Sequence, residues 1–186
     1  SGDGAGLLCA IPWKFLKRVW EEAKAVSESN TGLGMIFMPH DAQLRKQAIL
    51  FCEEEAKALG LKSISWRNVP VNPSVLGPLA RETSPVIQQW LVESSTEGRI
   101  FEALLFRLRR LIGKRARQAW GEKSLELYIA SLSSRTVVYK GMVRSQVLAA
   151  FYEDLRQADF EIAFAVYHRR FSTNTLPRWP LAQPMR

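Results

Sequence analysis

The stretch GMIFMPHDAQLRKQAILFCEEEAKALGLKSISWRNVP, residues 34–70, decides how the chain folds. GMIFMP (34–39) is an apolar run of strand length. Asp41 stands where a helix N-cap belongs, and Leu44, Ala48, Phe51 and Ala58 keep helical spacing up to Gly60, a residue suited to a helix end. LKSISWRNVP (61–70) alternates as a strand does. A strand–helix–strand unit of this kind, with further strands and helices around it, points to the α+β class.

Towards the N-terminus, Pro12 and the spacing of Leu16, Val19, Trp20 and Ala23 predict a helix over about 12–26, followed by a polar turn at 27–34. Towards the C-terminus, PVNPSVLGPLARETSP (70–85) is expected as an ordered loop held by Val71, Val75, Leu76 and Leu79. VIQQWLVE (86–93) reads as a strand. RIFEALLFRLRRLIGKRARQAW (99–120) reads as a long helix, with Phe101, Leu104, Leu105, Leu108, Leu111 and Ile112 on one face. Arg107, Arg110, Lys114 and Arg117 fall on another face. LELYIASLSSRTVVYKG (125–141) predicts two strands joined around Ser133 and Ser134. SQVLAAFYEDLRQ (145–157) is expected as a helix beginning at a Ser cap, and EIAFAVYHRRF (161–171) as a strand feeding the final segment.

A chain of 186 residues fits one domain or most of a larger one, and 47% hydrophobic with 24% charged residues is ordinary for a globular domain. No apolar run is long enough to span a bilayer, so no membrane partner is expected. The N-terminus shows neither the pattern of a secretory leader nor an initiator Met, which suggests a processed or cut end. Cys9 and Cys52 are isolated, and with only His40 and His168 to help no metal site is expected. Two such thiols suit a reducing compartment, although they could also form one disulfide.

The net charge of +8 is local. Residues 99–123 carry eight basic side chains against Glu102 and Glu122, and residues 167–186 add four arginines with no acid. The basic helix could lie on nucleic-acid phosphates, or it could present a solvated outer face. The second reading is favoured because Phe101, Phe106 and Trp120 are placed as packing residues, not as a base-stacking platform. GDGAG (2–6) could cradle a phosphate or make a tight turn into a strand, the latter being expected. Cys9, within LLCAIP, is expected as a buried small hydrophobe more than a nucleophile, and Ser1 is not expected to be catalytic. In HRRFSTNTLPRWPLAQPMR (168–186), Arg169 and Arg170 end an apolar strand and lead into Ser172, Thr173 and Thr175. An arginine there can grip a carboxylate with two parallel bonds while hydroxyls add adjustable donors, or the segment is a capped turn in solvent.

That final segment closely resembles the class II glutamine amidotransferase domain of the glutamate synthase family. SGDGAGLL and IPW within 1–13, GMIFMPHD (34–41), WRNVPVNPSVLG (66–77), ARETSPVIQQ (80–89) and SLSSRTVVYKGM (131–142) fall in the family's order, so the resemblance covers nearly the whole chain. Its wording is closer to the ferredoxin-dependent branch than to the NAD(P)H-dependent one. The resemblance implies an N-terminal-nucleophile hydrolase, a four-layer αββα sandwich of antiparallel sheets, with residues 1–186 forming part of that domain. It implies hydrolysis of L-glutamine to glutamate and ammonia, which passes to 2-oxoglutarate elsewhere in the protein. The remaining domains would use FMN and an iron–sulfur cluster, with ferredoxin as electron donor and no cofactor on these residues. The implied location is the cytoplasm of a bacterium or cyanobacterium, or the plastid stroma.

The family's arginine and threonine that hold the substrate glutamine correspond to Arg170 and Thr173. No residue in the chain matches the nucleophilic cysteine, which the resemblance puts upstream of GDGAG. The oxyanion-hole GHNGE motif would follow Arg186, and an acidic residue that binds the substrate's amino group would lie further on. These residues by themselves are therefore expected to be inactive, and, with sheet edges and apolar surface left uncovered, prone to aggregate.

Overall fold

The computed structural model describes residues 4–169 and 177–184. Its elements run β1 (Ala5–Ala10), α1 (Trp13–Val19), β2 (Thr31–Met38), α2 (Ala42–Ala58), β3 (Lys62–Asn68), α3 (Pro78–Glu82) and β4 (Val86–Glu93). There follow α4 (Gly98–Trp120), β5 (Tyr128–Ser133), β6 (Thr136–Gly141), α5 (Leu148–Phe151) and β7 (Ala165–His168). Among the described residues these strands pair antiparallel throughout, in a four-stranded sheet of order β3-β4-β2-β5 and a three-stranded sheet of order β6-β1-β7.

Strand β2 is buried along its whole length, and its alternation separates two cores. Leu33, Met35 and Phe37 face Ala5, Cys9, Val137 and Tyr139 of the other sheet, so this core lies between the sheets. Ile36 and Met38 point the opposite way, to Ala48, Cys52 and Ala56 of α2 and Phe101, Leu105, Leu108 and Ile112 of α4. Helices therefore cover the outer face of the four-stranded sheet. Fully burying a large apolar side chain stabilises by roughly 1.5–3 kcal/mol, so the α4 stripe alone is a major contributor.

Several expectations hold. Asp41 caps α2 through bonds from the amides of Gln43 (2.8 Å) and Leu44 (2.9 Å), and these hold its carboxyl below the usual range. Gly60, at φ +73°, follows the helix end. The long helix and the strands at 62–68 and 86–93 lie where spacing put them. Cys9 and Cys52 are both buried and free, which excludes the disulfide.

Other expectations are corrected. The first helix stops at Val19 because Trp20 turns extended and buries its ring, donating its indole N–H to Ser65 Oγ at 3.1 Å; a 3₁₀ turn, Glu21–Lys24, follows. The strand expected at 34–39 begins at Thr31, inside the supposed polar turn. Gly32 permits this, since a Cβ there would lie 2.8 Å from Leu105 Cδ1. The proline-rich loop contains a 3₁₀ turn, Pro73–Val75, and α3, each opened by a proline in its first turn. The expected helix at 145–157 breaks into a 3₁₀ turn (Ser145–Val147), α5 and a second 3₁₀ turn (Glu153–Arg156), and Ser145 makes no cap bond. Its backbone is committed elsewhere: the Asn72 amide bonds the Phe151 carbonyl (2.8 Å), and the Glu153 amide bonds that of Pro70 (3.2 Å). Among the described residues, the strand expected over 161–171 is limited to β7; Arg170 and Phe171 lie outside them.

The two strands around Ser133 and Ser134 belong to different sheets, so this corner carries the chain from one sheet to the other. Glu102 of α4 fixes it by accepting from the Ser134 amide (2.6 Å) and the Ser133 hydroxyl (3.1 Å). Between the sheets, Arg67 forms a two-pronged pair with Asp154 (2.7 and 2.9 Å), although Asp154 is only 2% exposed. Gln89 accepts from Arg67 at 2.6 Å and donates to the Tyr139 hydroxyl, which donates to Asp154, each of the last two at 3.0 Å. Burial first, then the Asp154 charge, raises the Tyr139 pKa well above its ordinary value.

Candidate functional site

Four motifs that lie far apart in the chain meet beside the returning 177–180 stretch. A cavity of about 320 Å³ is bordered by Met38, His40, Thr83, Tyr128, Met142 and residues 177–180. A second of about 460 Å³ runs between residues 75–80 and residues 142–144, with Pro177 on its rim. Both volumes fall in the range of small-molecule sites. Pro177, Met142 and Leu79 border both cavities.

The expected substrate residues Arg170 and Thr173 lie outside the described residues, as does Ser1. Their flanks are described. Upstream, His168 pairs with Gly6 at the end of β7, and Arg169 is exposed. Downstream, Pro177 opens a segment that crosses the three-stranded sheet. Trp179 is buried there, donates its indole N–H to the Ala80 carbonyl at 3.2 Å, and packs edge-on against Phe37 and tilted against Phe151.

Two strand glycines make that crossing possible. A Cβ on Gly141 would overlap the Trp179 ring, and one on Gly6 would overlap the Gln183 carbonyl oxygen and lie 2.8 Å from Pro184 Cδ. Gly6 of GDGAG is thus inside β1, where it admits the 183–184 backbone, so the turn reading fails there; Gly2 and Asp3 lie outside the described residues.

Beside Gly141, Lys140 is 0% exposed. Its ammonium donates to the Tyr128 hydroxyl and to the Pro180 carbonyl, both at 3.0 Å, and lies 4.8 Å from the Tyr128 ring centre. Burial, then the Arg109 charge, pushes its pKa down to about 7. Tyr152 donates to the Lys140 carbonyl at 2.8 Å. Sequence reasoning missed this residue, since a lysine in VVYKG reads as an outward-facing strand position.

The two thiols are poor nucleophiles. Burial pushes Cys9 up to about 12 and Cys52 higher still, and a thiol needs its thiolate form to react. Among the described residues no three His, Cys, Asp or Glu side chains gather as a metal site, and no helix is long and apolar enough to cross a membrane. His40 bonds the Ser84 carbonyl. On α4, Arg107, Arg110, Lys114 and Arg117 are exposed, while Arg115 pairs with Glu54 and with Glu55 (3.2 Å) and sits 4.6 Å from the Phe51 ring. Phe101 is buried and Trp120 packs on Phe51, as expected. Phe106 is not a packing residue: it is 65% exposed, because one residue past Leu105 the helix has turned about 100° away from the core.

The sequence profile described as "Glutamine amidotransferases class-II" matches residues 1–186. The chain belongs to the class II glutamine amidotransferases. Within the family it is 47% identical to "Ferredoxin-dependent glutamate synthase 1, chloroplastic/mitochondrial" of Arabidopsis thaliana, across 100% of this chain and 12% of that protein. It is 42% identical to "Ferredoxin-dependent glutamate synthase 2" of Synechocystis, with the same coverage. To "Glutamate synthase [NADPH] large chain" of Azospirillum brasilense it is 40% identical, again over 100% of this chain and 12% of the relative. The chain thus spans about 12% of the length of the curated relatives it matches. None of these names supports a nucleic-acid partner for this chain.

Proposed function

We propose that these residues form part of the glutamine-hydrolysing unit of a ferredoxin-dependent glutamate synthase. The observation that carries the reading is the meeting of the family motifs around two cavities that Pro177 borders, downstream of the end of β7 at His168. Arg170 and Thr173 stand between those two residues in sequence. Arg170 takes the α-carboxylate of L-glutamine through paired N–H bonds, and Thr173 adds a short hydrogen-bonding group beside it. Hydrolysis proceeds by attack of a thiolate on the side-chain amide, which forms a thioester and releases ammonia; water then cleaves the thioester to glutamate. The inaccessible Cys9 and Cys52 do not suit that role, so the nucleophile and its oxyanion hole are assigned to flanking sequence. The full domain is a four-layer αββα sandwich, of which 1–186 supply a part.

The rest of the protein would deliver ammonia to 2-oxoglutarate, with FMN and an iron–sulfur cluster and with ferredoxin as donor. These residues do not fit a cluster: Cys9 and Cys52 sit in separate cores. The cytoplasm or the plastid stroma is the compartment consistent with relatives named as chloroplastic and with the free thiols. In the full-length protein, Arg170→Ala is expected to raise KM for glutamine on the order of 10²-fold, as loss of a desolvated charge pair does. Steady-state ammonia release measures it, and an unchanged KM would remove Arg170 from the pocket.

A further inference from the structure

We propose that Lys140 is a positioning residue for glutamine binding, acting as the clamp that fixes the returning segment 177–184 against the sheet. The proposal rests on the glutamine-pocket reading above. A lysine ammonium is among the most strongly hydrated side-chain groups, and placing it at 0% exposure is costly unless it is bonded. Its bonds to Tyr128 and Pro180 join two separate parts of the fold. The Tyr128 hydroxyl belongs to β5, in the four-stranded sheet, and the Pro180 carbonyl belongs to the segment that follows residues 170–176. Pro180 itself has no amide N–H, so its carbonyl is the one main-chain hydrogen-bonding group it offers, and Lys140 takes it.

The surroundings are built for the same contact. Gly141, next along β6, admits the Trp179 ring, and Gly6 on the neighbouring strand admits the 183–184 backbone. The Trp179 indole bonds the Ala80 carbonyl. The segment is therefore held at three successive points, by an aromatic plug, by the Lys140 ammonium and by a close backbone contact at Gly6. The acceptor of the Lys140 amine stands three residues after Pro177, the first described residue downstream of Arg170 and Thr173. A substrate-binding stretch whose downstream end is loose spends less time with its arginine and threonine aimed at substrate, and binding weakens in proportion to the competent fraction.

The test uses the full-length protein, comparing wild type with Lys140→Met, which keeps the side chain's length and apolar stem. Expected are a rise of about tenfold in KM for glutamine with a smaller change in kcat, and faster amide hydrogen exchange across 177–184. Lys140→Gln, which keeps a donor, should fall between the two. An active wild type and a folded Lys140→Met with unchanged KM and unchanged exchange would overturn the clamp while leaving the pocket reading intact. Wild-type protein that releases no ammonia from glutamine would instead overturn the pocket reading, and the clamp's role in it. If neither variant folds, Lys140 is a folding residue and the positioning role is wrong.

Discussion

Lys140 also shows how one side chain links stability to pH. Its amine has a pKa of about 7 in the fold against 10.5 when free, so between those values the unfolded chain binds more protons than the folded one. Stability conferred by this group is therefore fully present above about 10.5 and is lost as pH falls through about 7. What sets this is burial first and the Arg109 guanidinium second. In urea melts of the full-length protein, wild type minus Lys140→Met should gain stability from pH 7 to pH 10; a flat difference would refute the depressed amine. Arg170 and Thr173 were named from wording alone and lie outside the described residues; of the described site, the sequence showed the motifs that border the cavities. Lys140 was not legible because alternation tells which strand positions share a face and says nothing of a proline-rich segment that later covers the outer one.

At the scale of elements, the Arg67–Asp154 pair joins β3 to the turn at Glu153–Arg156, Tyr139 ties β6 to the same carboxylate, and Gln89 of β4 links Arg67 to the Tyr139 hydroxyl. Removing one partner leaves a buried charge unanswered, which costs about 3–5 kcal/mol. Asp154→Ala should therefore lower the denaturation midpoint sharply, whereas the double change Arg67→Met with Asp154→Leu should recover part of the loss. Chemical denaturation of the pair of variants decides it, and equal losses would argue against a charge-driven effect. The same turn explains why some elements could be read from sequence and others could not. Helices α2 and α4 announce themselves through periodic apolar residues, and α2 also through its Asp41 cap, and both are decided by local geometry. The expected helix at 145–157 had the right residues, but long-range bonds from 70–72 to Phe151 and Glu153, and an isolated bridge of Val71 with Tyr152, outweigh local preference.

For the molecule as a whole, β7 is the conspicuous margin. Among the described residues it is an edge strand of four residues, and Phe164, Val166 and Tyr167 beside or within it are 49%, 55% and 46% exposed. Apolar side chains along an open strand edge invite pairing with another strand. The 186-residue polypeptide on its own is expected to self-associate, and Val166→Lys to reduce this, as sedimentation velocity would report; a monomer at high concentration would contradict the expectation. The layered plan has another consequence. Cys9 lies in the core between the sheets and Cys52 in the core beneath the helices, both reduced and both shielded. The polypeptide thus carries a native reporter in each layer. Brief pulses of an alkylating reagent, followed by mass spectrometry, would time the opening of the two layers separately and reveal which parts company first.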